Sequence, residues 1–275
     1  MSVLFDPLFG MTAIDAATDD RAWLTALCET ETALARACAR AGLLDLPTAL
    51  EIGAAAEELG STDPAELGRQ AIDGGNPVIP LVRALRHSVE QRAGADAAQA
   101  VHRGATSQDI LDTAAVLVTT RGLGVIIADL GECADRAAAL ARTHRDTLMV
   151  GRTLMQQAVP TTFGALAATW AGALDRCAAR LETVRAALPV QLGGPGGTLA
   201  GWHPHGFEVV AALADELELA EPDGVWHADR GPIAELAGAL GATAAAIAKP
   251  AMATRPADSE GAKRLEARVG AGGRL

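Results

Sequence analysis

The stretch Val101-His102-Arg103-Gly104-Ala105-Thr106-Ser107-Gln108-Asp109-Ile110-Leu111-Asp112-Thr113-Ala114 runs from a polar cluster directly into an apolar helical pattern. Residues 102–109 supply two hydroxyls, an amide, a carboxylate, an imidazole and a guanidinium. Thr106 or Ser107 is a good N-cap, because a short side-chain oxygen can accept from backbone N–H groups that a first helical turn leaves unpaired. Asp109 then falls in the first turn, where its charge complements the helix dipole. The free N–H groups and short polar side chains predict a donor-rich pocket suited to a carboxylate or phosphate. From the cap alone, an ordinary capped helix start reads the same way.

Downstream of Ser107, Leu123, Ile127, Leu130, Ala134, Ala137 and Ala141 recur in alternating four- and three-residue steps, the seam of a long packed helix. Phe163, Leu166, Trp170, Leu174, Cys177, Leu181, Val184 and Leu188 form a second such stripe. Both exceed the usual globular helix and favour a bundle extending beyond one compact subunit. His203 to Leu219 and Arg230 to Lys249 read as two further helices, with Pro204 and Pro232 near their starts. Upstream, residues 1–100 read as short helices broken by Gly and Pro. Trp23, Leu27, Leu34 and Ala37 mark one of them, Asp63-Pro64 starts another, and Asp73-Gly74-Gly75-Asn76-Pro77 is a loop. The expected fold is all-α, with no convincing strand. It divides into an N-terminal helical domain (1–106), an incomplete long-helix bundle (107–249) and a poorly structured tail (250–275).

Composition narrows the function classes. Hydrophobic residues make up 49% of the 275, but only 3% are aromatic and Tyr is absent, so small side chains dominate and suit close-packed helices. The net charge of −11 argues against a nucleic-acid partner, and any anion site must be locally positive. Cys28, Cys38, Cys133 and Cys177 lack metal-type spacing and read as small core residues in a reducing compartment. No apolar run reaches the roughly 18 residues of a membrane span, and the N-terminus lacks a signal-peptide pattern. The expectation is a soluble, cytoplasmic protein with no membrane partner. The Gly-rich turn over 193–201 lacks the Gly-Lys-Ser/Thr of a Walker A loop and follows a helical stripe rather than a strand. It reads as a close backbone approach to a ligand rather than a nucleotide site.

The 101–114 string resembles the first signature of the fumarase/aspartase superfamily and, within it, the 3-carboxy-cis,cis-muconate cycloisomerase family. Gly151-Arg152-Thr153-Leu154-Met155-Gln156-Gln157-Ala158-Val159-Pro160-Thr161-Thr162-Phe163-Gly164 is similar to the second signature. Gln191-Leu192-Gly193-Gly194-Pro195-Gly196-Gly197-Thr198 resembles the Gly-Gly-x-x-Gly-Thr turn that follows the next long helix. Gly75-Asn76-Pro77-Val78-Ile79-Pro80-Leu81-Val82 matches the N-terminal domain, and the resemblance runs over roughly residues 1–249.

That resemblance implies proton transfer next to a carboxylate as a β C–O or C–N bond forms or breaks, with no cofactor and no metal. Preorganised donors must meet charge accumulating on carboxylate oxygens, each worth up to ~3–4 kcal/mol in a dry site. Thr106, Ser107, Gln108, Thr153, Gln156 and Thr198 are neutral donors of that kind. Arg103, Arg152 and Arg230 can supply positive potential or bidentate contacts, although any of them singly reads as a surface ion pair. His102 matches a first-signature histidine and is the acid/base candidate, beside Ser107; a helix-capping or core histidine is the plainer reading. In the cycloisomerase branch the substrate's own carboxylate adds across a double bond, so the protein holds a flexible tricarboxylate and manages one proton.

Two departures bear on activity. Leu154 stands where many superfamily members carry a histidine, which disfavours their usual proton transfer and is compatible with the cycloisomerase branch. The third signature, Gly-Ser-Ser-x-Met-Pro-x-Lys-x-Asn, does not occur in the sequence, and residues 250–275 are rich in Ala, Gly and Arg. Competing expectations are a lyase releasing fumarate from a substituted succinate and a non-catalytic helical assembly protein. The resemblance further implies a homotetramer. Residues 1–275 by themselves are therefore expected to show little or no cycloisomerase turnover, followed as loss of the ultraviolet absorbance of 3-carboxy-cis,cis-muconate. Turnover near that of a full-length relative would refute this.

Overall fold

The computed structural model describes residues 13–154 and 156–253. Ten α-helices lie among the described residues, in chain order α1 (Ala13–Thr18), α2 (Asp20–Arg40), α3 (Leu46–Gly60), α4 (Pro64–Gln70), α5 (Val78–Ala93), α6 (Ala95–Gln99), α7 (Ser107–Thr143), α8 (Phe163–Ala187), α9 (Gly206–Leu217) and α10 (Gly231–Ala253). The starts follow local chemistry. Asp19 caps α2 by accepting from Ala22 N at 2.8 Å, and Asp45 caps α3 by accepting from Thr48 N at 2.9 Å. Asp63 accepts from Ala65 N at 3.0 Å ahead of Pro64, whose missing N–H is no loss in a first turn.

The chain is helical as expected, with one correction: two strands occur. β1 (Leu148–Thr153) pairs antiparallel with β2 (Gln156–Thr162), with an irregularity between Val150 and Arg152. The hairpin escapes a periodicity reading because β2 is exposed over most of its length, so no apolar alternation is required, and Pro160 is tolerated where a strand has one partner only. The helix expected over His203–Leu219 is shorter, running Gly206–Leu217, because a short 3₁₀ turn at Ala200–Trp202 precedes it. α10 continues through Pro250 to Ala253; the remainder of the expected tail, 254–275, lies outside the described residues.

Two compact units divide the chain. The described residues of Met1–Ile126 and Val184–Ala234 form the first. In it α2 packs against α3 and α9, α3 packs against α5, and α5 against α6. Leu24, Leu27, Leu34 and Cys38 of α2 meet a buried set that includes Ile52, Leu81, Leu85, Val209 and Leu213. Burying each large apolar side chain is worth roughly 1.5–3 kcal/mol. The second unit holds the described residues of Ile127–Thr183 and Glu235–Leu275. Its small core joins Ala137 to Ala167, Trp170 and Ala171. Phe163 stacks edge-on against both His144 and Trp170, at 5.2 and 5.9 Å between centroids. Gly164 is dictated by space, since a Cβ there would lie 2.6 Å from the Ala141 carbonyl oxygen.

The membrane expectation also needs amending. Ser107–Thr143 and Gly231–Met252 are long and apolar enough to span a bilayer by length and composition alone, because Ala, Gly and Val raise mean hydropathy even where scattered charges interrupt the run. Half of the first apolar window is buried within the protein, against 17% of the second.

Cysteine placement departs from expectation at two positions: Cys28 and Cys38 are buried in the core, whereas Cys133 is exposed and Cys177 half-buried. Burial, reinforced by Glu31 and Glu29, pushes the Cys28 thiol up to about 12, and burial pushes Cys38 up to about 11. Because the thiolate is the nucleophile, a maleimide at neutral pH should label Cys133 first and reach Cys28 and Cys38 only after denaturation. Mass spectrometry of tryptic peptides reads the order directly.

Candidate active site

Asp109 organises the first unit's polar centre. It sits in the first turn of α7, fully buried. Its Oδ2 accepts from Thr106 N and Gly194 N, each at 2.9 Å, and its Oδ1 accepts from Gly193 N at 2.9 Å. His227 Nε2 lies 2.7 Å from the same Oδ1. One carboxylate thus joins the α7 N-terminus, the Gly193–Gly194 turn and the segment before α10. Only glycine fits there. Gly104 (φ +74) would place a Cβ 2.7 Å from Trp202 Cε2, and Gly194 (φ +69) would place one 2.6 Å from the Gly104 carbonyl oxygen.

One turn along α7, Asp112 receives the Arg230 fork, with Nη1 at 2.7 Å and Nη2 at 3.0 Å. That hydrogen bond raises the Arg230 guanidinium above its ordinary value against the opposing effect of partial burial. Arg230 also lies 4.9 Å over the Trp226 ring. Gln108 Nε2 donates to the His227 carbonyl at 2.9 Å and, at 3.3 Å, to Asp112. Thr113 and Gln191 exchange two bonds: the Thr113 hydroxyl donates to the Gln191 carbonyl at 3.0 Å and accepts from its N–H at 2.9 Å.

A cleft of about 350 Å³ opens beside this scaffold, lined by Val78, Ile79, Val82, Arg83, Arg86, His102 and Ser107. α5 brings the two arginines, and Ser107 is the first residue of α7. Arg86 Nη2 donates to the Val101 carbonyl at 3.2 Å, which ties it to the turn carrying His102. His102 adopts a left-handed φ of 59° and places Nδ1 2.6 Å from Glu31 Oε1. Two guanidinium groups, a hydroxyl and a helix N-terminus give this cleft positive character in an otherwise acidic chain, so it is suited to carboxylates.

The expected site residues distribute as follows. His102 and Ser107 line the cleft together. Thr106 is half-buried at the turn, its N–H committed to Asp109. Gln108 and Arg230 converge on Asp112. Arg103 donates to the Leu43 carbonyl at 2.5 Å, and exposed Thr198 accepts from Ala200 N at 3.4 Å. Arg152, Thr153 and Gln156 are exposed on the hairpin of the second unit, where Thr153 pairs with Gln156. Leu154, at the hairpin turn with φ +50, is 90% exposed. Sequence reasoning missed Glu31, Arg83, Arg86, Asp112, Gln191 and His227. Glu31 had a readable signal: it is a carboxylate set among Leu24, Leu27, Leu34 and Cys38 on an otherwise apolar face. Among the described residues no cluster of three or more His, Cys, Asp or Glu is arranged to hold a metal ion.

The fold is helical, and a cleft that carries two arginines opens at the start of the longest helix among the described residues. Residues 4–255 match the lyase family, and the chain belongs to it, within the fumarase/aspartase superfamily. It is 44% identical over 261 residues to nitrosuccinate lyase from Streptomyces davaonensis, covering 91% of this chain and 54% of that protein. It is 42% identical over 250 residues to 3-carboxy-cis,cis-muconate cycloisomerase from Bradyrhizobium diazoefficiens, covering 90% and 55%. The crystal structure of the 3-carboxy-cis,cis-muconate lactonizing enzyme from Pseudomonas putida superposes with a TM-score of 0.84 at 39% identity, covering 90% of this chain and 56% of that one. The chain spans about half the length of the curated relatives it matches.

Replacing Asp109 by Asn keeps the shape but removes the charge and one acceptor from a set of three backbone N–H groups and His227. Loss of about 3–5 kcal/mol in urea unfolding is expected, the scale for breaking a buried charged network. Asp135→Asn, at an exposed position, should stay within about 0.5 kcal/mol of the wild type.

Proposed function

We propose that this chain is a cycloisomerase-type member of its family, acting on a muconate tricarboxylate by intramolecular lactonisation within aromatic-compound catabolism. The observation that carries the reading is the cleft in which His102 and Ser107 meet Arg83 and Arg86. Three carboxylates call for several positive or N–H groups around one small volume, and lactonisation requires the chain's internal carboxylate to be held against its own double bond. Ser107 serves as the donor on the cleft wall, the arginines neutralise charge, and His102 exchanges the single proton, while Thr106 and Gln108, engaged by Asp109 and by Asp112 and the His227 carbonyl, hold the turn that carries them. Arg230 acts at one remove, since its fork is engaged by Asp112, and its charge adds to the local potential together with that of Arg103.

Arg152, Thr153, Gln156 and Thr198 complete the donor set in an assembled homo-oligomer, which we propose to be a tetramer. Exposed apolar residues along the second unit, including Leu140, Leu148, Val159, Ile247 and Met252, support association, since such side chains favour burial against a partner. The organisation proposed is the 1–106 helical domain and the 107–249 bundle, and the compartment the cytoplasm. A second reading is a lyase that releases fumarate from a substituted succinate, favoured by the 44% identity to nitrosuccinate lyase. Leu154 speaks for the first reading, because leucine cannot move a proton.

Calorimetric titration separates the two. 3-Carboxy-cis,cis-muconate should bind more tightly than nitrosuccinate, and Ser107→Ala should weaken the tricarboxylate by ~1–2 kcal/mol, the scale of a hydrogen bond to a charged group. Tighter binding of nitrosuccinate would favour the lyase, and Ser107→Ala without effect would remove the cleft from either reading.

A further inference from the structure

Glu31 is the least expected side chain in the first unit. It lies on α2 among core leucines, its side chain is 0% exposed, and Oε2 has no hydrogen-bond partner among the described residues. A buried carboxylate with an unpaired oxygen is costly, and packing gives no reason for it, since a leucine or methionine would fill the same space. Among the described residues its side chain's one hydrogen-bond partner is His102 Nδ1, at 2.6 Å. His102 in turn sits at a left-handed φ that few non-glycine residues adopt, on the turn that Arg86 also grips, with its ring on the cleft wall.

We propose that Glu31 is a positioning residue that fixes His102 in the Nδ1–H tautomer and so makes Nε2 the proton-exchanging atom of the cleft. The inference deepens the reading of His102 as the site's acid/base group and rests on it. The 2.6 Å contact requires one shared proton, and the geometry points to Nδ1 as its carrier with Glu31 Oε1 accepting. The other ring nitrogen is then left for the cleft. In lactonisation the substrate's carboxylate oxygen forms the new C–O bond, and the π pair moves to the adjacent carbon. That carbon takes one proton from Nε2 of a protonated His102. The ring returns to neutral with Nδ1–H retained on Glu31 and a lone pair on Nε2, ready to be reprotonated from solvent. Without Glu31 the neutral ring is free to hold its proton on Nε2 and turn the wrong face to the substrate, much as a misplaced tautomer disables other histidine catalysts.

The test reads tautomers by ¹⁵N NMR of histidine-labelled, ligand-free 1–275 at about pH 8.5, two units above the ordinary imidazole value. His102→Gln assigns the signal by its disappearance. Wild-type His102 should show one tautomer, with a pyridine-type signal for Nε2 and a pyrrole-type signal for Nδ1. Glu31→Met should move most of the population to Nε2–H, and Glu31→Gln, which can accept or donate, should give a mixture. A wild-type signal from Nε2–H, or a tautomer indifferent to both variants, would overturn the proposal. The wild-type spectrum alone decides if either variant fails to fold. Because no ligand is present, this result is independent of whether 3-carboxy-cis,cis-muconate binds: a correct tautomer with no tricarboxylate binding would sink the functional reading and leave the pairing intact.

Discussion

A single buried carboxylate, Asp109, holds together three pieces of chain that are far apart in sequence. Its two oxygens accept from the N–H groups of Thr106, Gly193 and Gly194 and meet His227 Nε2. An unpaired charge at that depth would be heavily penalised, so these segments cannot separate without exposing either the carboxylate or three backbone donors. The glycines follow from this constraint. Once Asp109 draws the 193–194 turn onto the start of α7, the Gly104, Gly194 and Gly201 backbones approach Trp202 and one another too closely for any Cβ. The cleft residues His102 and Ser107 flank the same turn, so the cleft's geometry depends on the clamp although Asp109 is not among the residues that line it.

Polar satisfaction of this kind is unusual in a core built mostly from alanine and leucine. Small side chains allow α2, α3 and α9 to pack closely but specify little by shape. The network of Asp109, Asp112, Thr113, Gln191 and Arg230 supplies the missing specificity, because each member has directional demands that only one arrangement meets. The Glu31–His102 pair differs in kind, because it leaves Glu31 Oε2 without a hydrogen-bond partner among the described residues.

Much of the architecture was legible in the sequence, and for identifiable reasons. The long stripes of α7 and α8 carry a strong helical period, and Asp63-Pro64 announces a helix start through capping chemistry that operates within three residues. The 101–114 string drew attention to the candidate site because its polar residues are adjacent in sequence. The hairpin of β1 and β2 was not legible, since its strands are largely exposed and impose no alternation. The role of Asp109 was half visible: the first-turn acid could be read, but Gly193, Gly194 and His227 lie more than 80 residues away. Nothing in the sequence singles out Arg83 and Arg86, and only the packing of α5 beside the 101–107 turn gives them a common cavity with His102.

The central claim is that the cleft between α5 and the start of α7 receives a polycarboxylate. A crystal structure of residues 1–275 grown with tricarballylate tests it most directly. The account predicts a carboxylate within about 2.7–3.2 Å of Ser107 Oγ and of an Arg83 or Arg86 guanidinium nitrogen, with His102 Nε2 facing the ligand. Tricarballylate bound elsewhere on the protein, with this cleft holding only solvent, would contradict it.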